Sequence, residues 1–155
     1  MLSIAIAAAA LMAAAPCTLV TKAEAATVTG TAPTTVLSHG PETDPETKAR
    51  VTWCVMSGAP VGLIVYIDDF GTAAAAQKVM TPARIVELMD PSIKVEPEAG
   101  LGDKAFWAYS DESARIVVIR GGQVLSIVIG GVELTNAGQK RAAARAVALK
   151  ALARM

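Results

Sequence analysis

The stretch "ARIVVIRGGQVLSIVIGG", residues 114–131, decides how this chain folds. Two apolar runs rich in β-branched residues, 114–120 and 123–131, flank Gly121-Gly122, a pair that accepts the backbone of a tight hairpin turn. Neither run alternates cleanly between apolar and polar positions. Such continuous runs point to central strands of a sheet with one face under helices.

Working outward, "ARVTWCVMS" (49–57) and "VGLIVYIDD" (61–69) make a second hairpin across Gly58-Ala59-Pro60. In its first strand Val51, Trp53 and Val55 share one face, and Thr52, Cys54 and Met56 the other. "KAFWAYS" (104–110) reads as a further strand between turns at 100–103 and at Asp111-Glu112, and Ile93–Val95 as a brief one at best. Residues 72–79 read as a helix that Thr81-Pro82 interrupts. Thr81 caps a fresh start over 82–89, with Pro82 in the first position and Asp90-Pro91 as the stop. The last helix, 136–154, begins after Thr135 as N-cap. Its Ala142, Ala146, Leu149 and Leu152 form one stripe expected to approach the sheet. Lys140, Arg141, Arg145, Lys150 and Arg154 read as its solvated face, favoured by the helix dipole. Residues 31–48, "TAPTTVLSHGPETDPETK", read as an exposed loop, with His39 inside it. The expected order is α-ββ-α-(β)βββ-α: an α+β two-layer sandwich, an antiparallel sheet of about five strands packed by helices.

The N-terminal region carries two competing signals. "MLSIAIAAAALMAAA" (1–15) is uncharged, too short for the ~20 apolar residues of a membrane span, and matches the apolar core of a secretory signal. No Lys or Arg precedes it, so a buried Ala-rich helix is the alternative. Ala23-Glu24-Ala25 imitates a cleavage site, but Thr21 and Glu24 form a capping box that opens a helix over 22–29, with Gly30 as its left-handed stop. Cleavage near Ala15 is therefore expected, leaving residues 16–155 as a single domain and Cys17 in the mature chain. Pro16 stands where a lipoprotein signal needs a small residue, which argues against a lipid anchor.

Cys17 and Cys54 are the only cysteines. Two cysteines in an exported chain most often pair, and a bridge here would close a loop of about 38 residues, worth roughly 4 kcal/mol. Two free thiols, one of them buried, are the alternative.

Acidic and basic residues balance at fourteen each, with no basic stripe interleaved with aromatics, so nucleic-acid binding is not expected. Gly100-Leu101-Gly102-Asp103 lacks the third glycine and following helix of a dinucleotide loop, and reads as a turn in which Asp103 bonds local backbone. Asp68-Asp69 and Asp111-Glu112 are adjacent acids that point to opposite faces and read as strand-end and turn residues. Neither G-x-S-x-G nor S-x-x-K occurs, and the single histidine gives Ser-His or Cys-His chemistry little to draw on. No cofactor or metal is expected. Trp53, Tyr66, Trp107 and Tyr109 remain as binding candidates: packed, they are core; on an uncovered sheet face, they mark a recognition patch.

Cys17-Thr18-Leu19-Val20-Thr21 with Glu24, Cys54 in a strand, and Gly100-Leu101-Gly102-Asp103-Lys104-Ala105-Phe106-Trp107 resemble a family of small bacterial exported, often lipoprotein-like, domains of unknown function. More distantly the layout resembles extracellular sensor domains of receptor kinases. The resemblance implies a Cys17–Cys54 disulfide and an α+β fold, and supplies no catalytic residue. The function expected is a non-enzymatic periplasmic or secreted domain, without a stable membrane span, that binds an envelope protein or small ligand. The competing expectation is a hydrolase-like or metal-using enzyme, which would need Asp68, Asp103, Asp111 and His39 to converge.

Overall fold

The 114–131 hairpin lies at the centre of one antiparallel sheet. The computed structural model describes residues 15–58, 60–89, 91–131 and 137–155. In chain order the elements are α1 (Pro16–Leu19), α2 (Lys22–Thr29), β1 (Thr35–Thr43), β2 (Arg50–Ser57), β3 (Val61–Asp69), α3 (Ala73–Val79), α4 (Pro82–Met89), β4 (Lys94–Pro97), β5 (Lys104–Tyr109), β6 (Ser113–Arg120), β7 (Gln123–Gly131) and α5 (Ala137–Arg154). β6 and β7 pair from Arg120 opposite Gln123 to Ser113 opposite Gly130. The far edge of β7 takes β3, so the strand order is β1-β2-β3-β7-β6-β5-β4.

The architecture is α+β, with an antiparallel sheet packed by helices. The sheet has seven strands rather than about five. Residues 31–48 are mostly exposed, as read from composition, but they are not all loop: β1 runs along the free edge of β2. Its Pro41 is tolerated because an edge strand bulges there, where the register shifts between His39 and Glu42. β4, at the opposite edge, is a full partner of β5.

Alternation along the strands sends two cores to opposite faces. Leu125, Ile127, Ile116, Val118 and Trp107 pack under α1, α2 and α5. Val124, Val117, Ile119 and Phe106 pack under Ala76, Met80 and Ile85 of the α3–α4 segment.

The rotation of α5 differs from the stripe expected. Ala142, Ala146 and Leu149 face solvent, and Ala144, Val147, Ala148, Ala151 and Leu152 are buried. The buried stripe is the longer and more apolar of the two, with Val147 and Leu152 among its alanines, and it leaves the basic residues able to reach acidic partners. The basic residues do face solvent in part, Lys150 and Arg154 most, but they are also paired. Arg141 reaches Glu96 (2.6 Å) and Glu98 (2.8 Å), Arg145 reaches Glu98 (3.3 Å), and Lys140 donates to the Val28 carbonyl (2.7 Å).

At the N-terminus the capping box is present: Thr21 N–H donates to Glu24 Oε2 (2.9 Å), and Glu24 N–H to Thr21 Oγ1 (3.1 Å). Cys17 and Cys54 form a disulfide with Cα atoms 5.1 Å apart, pinning α1 to β2. Leu19 and Val20 are core residues, so a cut after Ala25 would remove part of the core along with Cys17. Residues 1–14 of the expected 1–15 signal lie outside the described residues, as do the expected Thr135 cap, within 132–136, and Ala59 and Asp90.

Candidate functional site

α3 packs on β6 and β7, and α4 on β4 and β5. On that face they leave the β1–β2–β3 half without a helix. Register aligns the side chains there in cross-strand rows. One row is Leu37, Val55, Ile64 and Val128, with Leu37 52 % exposed and the others half-buried. The next is His39, Trp53, Tyr66 and Ser126. His39 stacks on Trp53 (centroids 5.2 Å apart, planes at 12°), and Trp53 on Tyr66 (6.2 Å, 29°). The Arg115 guanidinium continues the ladder 5.5 Å from the Tyr66 ring. His39, expected in a loop, is therefore one rung of a ladder across the sheet.

Beside the ladder, where the open half meets α3 and α4, lies a cavity of about 230 Å³. Tyr66, Asp68 and Arg115 form its polar wall; Val51, Phe70 and Met80 are among its apolar residues. A groove of about 410 Å³ adjoins it under Trp53 and shares Asp44, Val51 and Tyr66 with it. The outer wall is the β1–β2 turn. Asp44 Oδ1 accepts from the amides of Glu46 (2.9 Å) and Thr47 (2.6 Å) and from the Thr47 hydroxyl (2.9 Å). These bonds hold the Asp44 carboxyl below its usual range, the Thr47 amide contributing most. Arg84 of α4 straps the turn down through Glu46 at 2.7 Å.

Burial pushes the Asp68 carboxyl up to about 6, against the attraction of Arg115 and with a further push from Asp44. Burial likewise pushes the Arg115 guanidinium down, with Asp68 and Tyr66 opposing. Among the described residues neither Asp68 nor Arg115 closes a hydrogen bond or an ion pair, and Arg115 Nε is shielded from solvent without a partner. Ser126 Oγ, on the neighbouring row, is also buried and unpartnered. A buried polar group without a partner costs about 1–3 kcal/mol, more if charged, so this corner of the fold is polar at the expense of stability.

The other binding candidates lie elsewhere. Trp107 is sealed in the core under α5, 6.4 Å from Tyr109. The Tyr109 hydroxyl donates to Glu96 at 3.0 Å, within the ion-pair network of α5. Asp103 clips two strands together: its N–H donates to Ile119 O (2.7 Å), and its Oδ2 accepts from Gly121 N–H (2.6 Å). Gly102 permits that clip, since its φ is +55° and a Cβ there would collide with the Ile119 carbonyl.

Asp68, Asp103, Asp111 and His39 do not converge. His39 is on edge strand β1, and Asp111 is in the β5–β6 turn. Asp68 and Asp103 are separated by β7 and β6, three strand spacings of about 4.8 Å each. No group of three or more His, Cys, Asp or Glu side chains placed to hold a metal occurs among the described residues. Nor is any described helix long and apolar enough to cross a membrane.

Sequence reasoning set Asp68 aside as a strand-end residue and passed over Arg115. Arg115 did carry a signal: alternation in "ARIVVIR" puts it on the face of Val117 and Ile119, both buried. No family model, curated protein or solved structure matches this chain.

Proposed function

We propose that this chain is an exported, non-enzymatic binding domain of the cell envelope, one of the small exported domains it resembles, and that it holds a small ligand in the cavity beside Tyr66. The observation that carries this reading is the unpaired Asp68 and Arg115 in one cavity, partly apolar in its lining, next to the uncovered half of the sheet. Concave, mostly apolar sites with a few convergent polar groups are where small ligands bind. The disulfide supports a periplasmic or secreted location, because such bonds persist in oxidising compartments.

The competing enzymatic reading has one observation in its favour. Asp44 and Asp68 line the same cavity with their titrations pushed apart, one down and one up. Three local hydrogen bonds already engage Asp44 Oδ1 in shaping the turn, and the binding reading accounts for Arg115 as well.

Native mass spectrometry of the protein isolated from its own envelope fraction tests the proposal. The expected result is a mature chain beginning near Pro16, two protons lighter for the disulfide, and carrying a small molecule. A chain starting at Ala26, or one that carries a protein partner and no small molecule, would contradict it.

A further inference from the structure

The two unpaired charges also specify a ligand class, an inference that rests on the small-ligand reading above. Arg115 presents a guanidinium steadied against the Tyr66 ring and lacking any acceptor among the described residues. A planar guanidinium in that position matches a carboxylate in bidentate geometry. Asp68 presents an acceptor with no donor. The two attract each other across the cavity without closing an ion pair.

A lone carboxylate on Arg115 would leave Asp68 unpaired and would add a third negative group beside Asp44. A lone amine on Asp68 would leave the Arg115 guanidinium without an acceptor. A molecule carrying both groups satisfies both residues and brings no net charge into the site. Of the remaining lining, Val51, Phe70, Val79, Met80 and Leu88 supply an apolar wall, and Asp44, Thr47 and Arg84, engaged with the β1–β2 turn, complete it. At about 230 Å³ the cavity lies below the ~300–1,000 Å³ of drug-sized sites, so the ligand is small.

We infer that the cavity takes a zwitterionic α-amino acid with an apolar side chain, its carboxylate on Arg115, its ammonium on Asp68 and its side chain along the apolar wall. The ladder of Trp53 and Tyr66 then holds the guanidinium in place, and the Arg84–Glu46 strap keeps the turn over the bound molecule.

Isothermal titration of the disulfide-intact chain near pH 7.5 tests this with three probes of one skeleton: L-leucine, 4-methylpentanoate without the ammonium, and isopentylamine without the carboxylate. Leucine is expected to bind at least tenfold more tightly than either fragment. Asp68→Asn should erase its advantage over 4-methylpentanoate, and Arg115→Gln its advantage over isopentylamine. Amide shift changes in the wild-type protein should centre on β3, β6 and α4, a readout that survives if Arg115→Gln fails to fold. Equal binding of either fragment would overturn the zwitterion and leave the small-ligand reading standing. If none of the three binds, the molecule retained by the envelope-purified protein decides. Another zwitterion upholds the inference, a singly charged or uncharged molecule overturns the inference alone, and no retained molecule overturns both.

Discussion

Glu24 and Asp68 are both carboxylates drawn out of water beside an arginine, yet the fold treats them in opposite ways. Glu24 takes two hydrogen bonds from Arg154 at 2.7 Å each, another from the Thr21 amide, and lies 3.6 Å from Lys150. Arg154 also donates to the Leu19 carbonyl at 2.6 Å. Hydrogen bonds from Arg154 above all hold the Glu24 carboxyl down at about 2, against its burial. Asp68 has Arg115 within electrostatic reach and no bond to it, and burial pushes it up to about 6. The first cluster is closed: it ties α5 to the capped start of α2, and nothing is left to satisfy. The second is open, and an incomplete polar cluster in a cavity is what the proposed ligand site rests on.

The largest way to test the braced region is through the bond that anchors it. Replacing Cys17 and Cys54 together by Ser should cost about 4 kcal/mol in urea unfolding. A loss below about 1 kcal/mol would mean that α1 and α2 are held by packing and the Glu24 cluster alone. Next, Arg154→Ala should lower the urea midpoint by less than the loss of the disulfide does, because it removes the two bonds to Glu24 and the one to the Leu19 carbonyl from a side chain more than a third exposed. In the open region the sign reverses. Asp68→Asn should stabilise the ligand-free protein by about 1–2 kcal/mol at pH 7.5, because it removes the cost of an ionised, partnerless carboxylate. Smallest, His39→Ala should cost under about 1 kcal/mol, since it takes one exposed rung off the ladder. A loss above about 2 kcal/mol there would make the ladder a structural brace.

The closed cluster was legible in the sequence, and the open one was not. Thr21 and Glu24 lie one helical turn apart, so their reciprocal bonds follow from local spacing, and the central hairpin follows from Gly121-Gly122 between two apolar runs. β1 escaped because Thr, Pro and Glu dominate its composition, and only the free edge of β2 makes it a strand. The rotation of α5 escaped because alanines lie all round the helix and blur its apolar stripe; the buried one, Ala144, Val147, Ala148, Ala151 and Leu152, also lets the basic residues reach Glu24, Glu96 and Glu98, far away in sequence. Trp53 and Tyr66 were legible as candidates. Separating them from Trp107 and Tyr109 required knowing that α3 and α4 leave β1–β3 of one face bare, whereas Trp107 and Tyr109 belong to the opposite face with α5. Asp68 looked like a strand end because nothing local reveals that α3, α4 and the β1–β2 turn enclose it.

The pH dependence of stability tests the contrast most directly. A carboxyl held low contributes stability above its ordinary titration range, which is lost as pH falls through the folded value; for Glu24 that window runs from about 4.5 down to about 2. A carboxyl held high does the reverse. For Asp68 stability is full below about 3.8 and declines as pH rises through about 6. Unfolding of wild type, Glu24→Gln and Asp68→Asn should be followed from pH 3 to 8 without ligand. Glu24→Gln should be destabilised at neutral pH and converge on wild type as the pH falls. Asp68→Asn should exceed wild type at pH 7.5 and lose that advantage by pH 4. If Asp68→Asn is instead destabilised at pH 7.5 as Glu24→Gln is, Asp68 is a structural counter-ion of Arg115, and the cavity is not held open for a ligand.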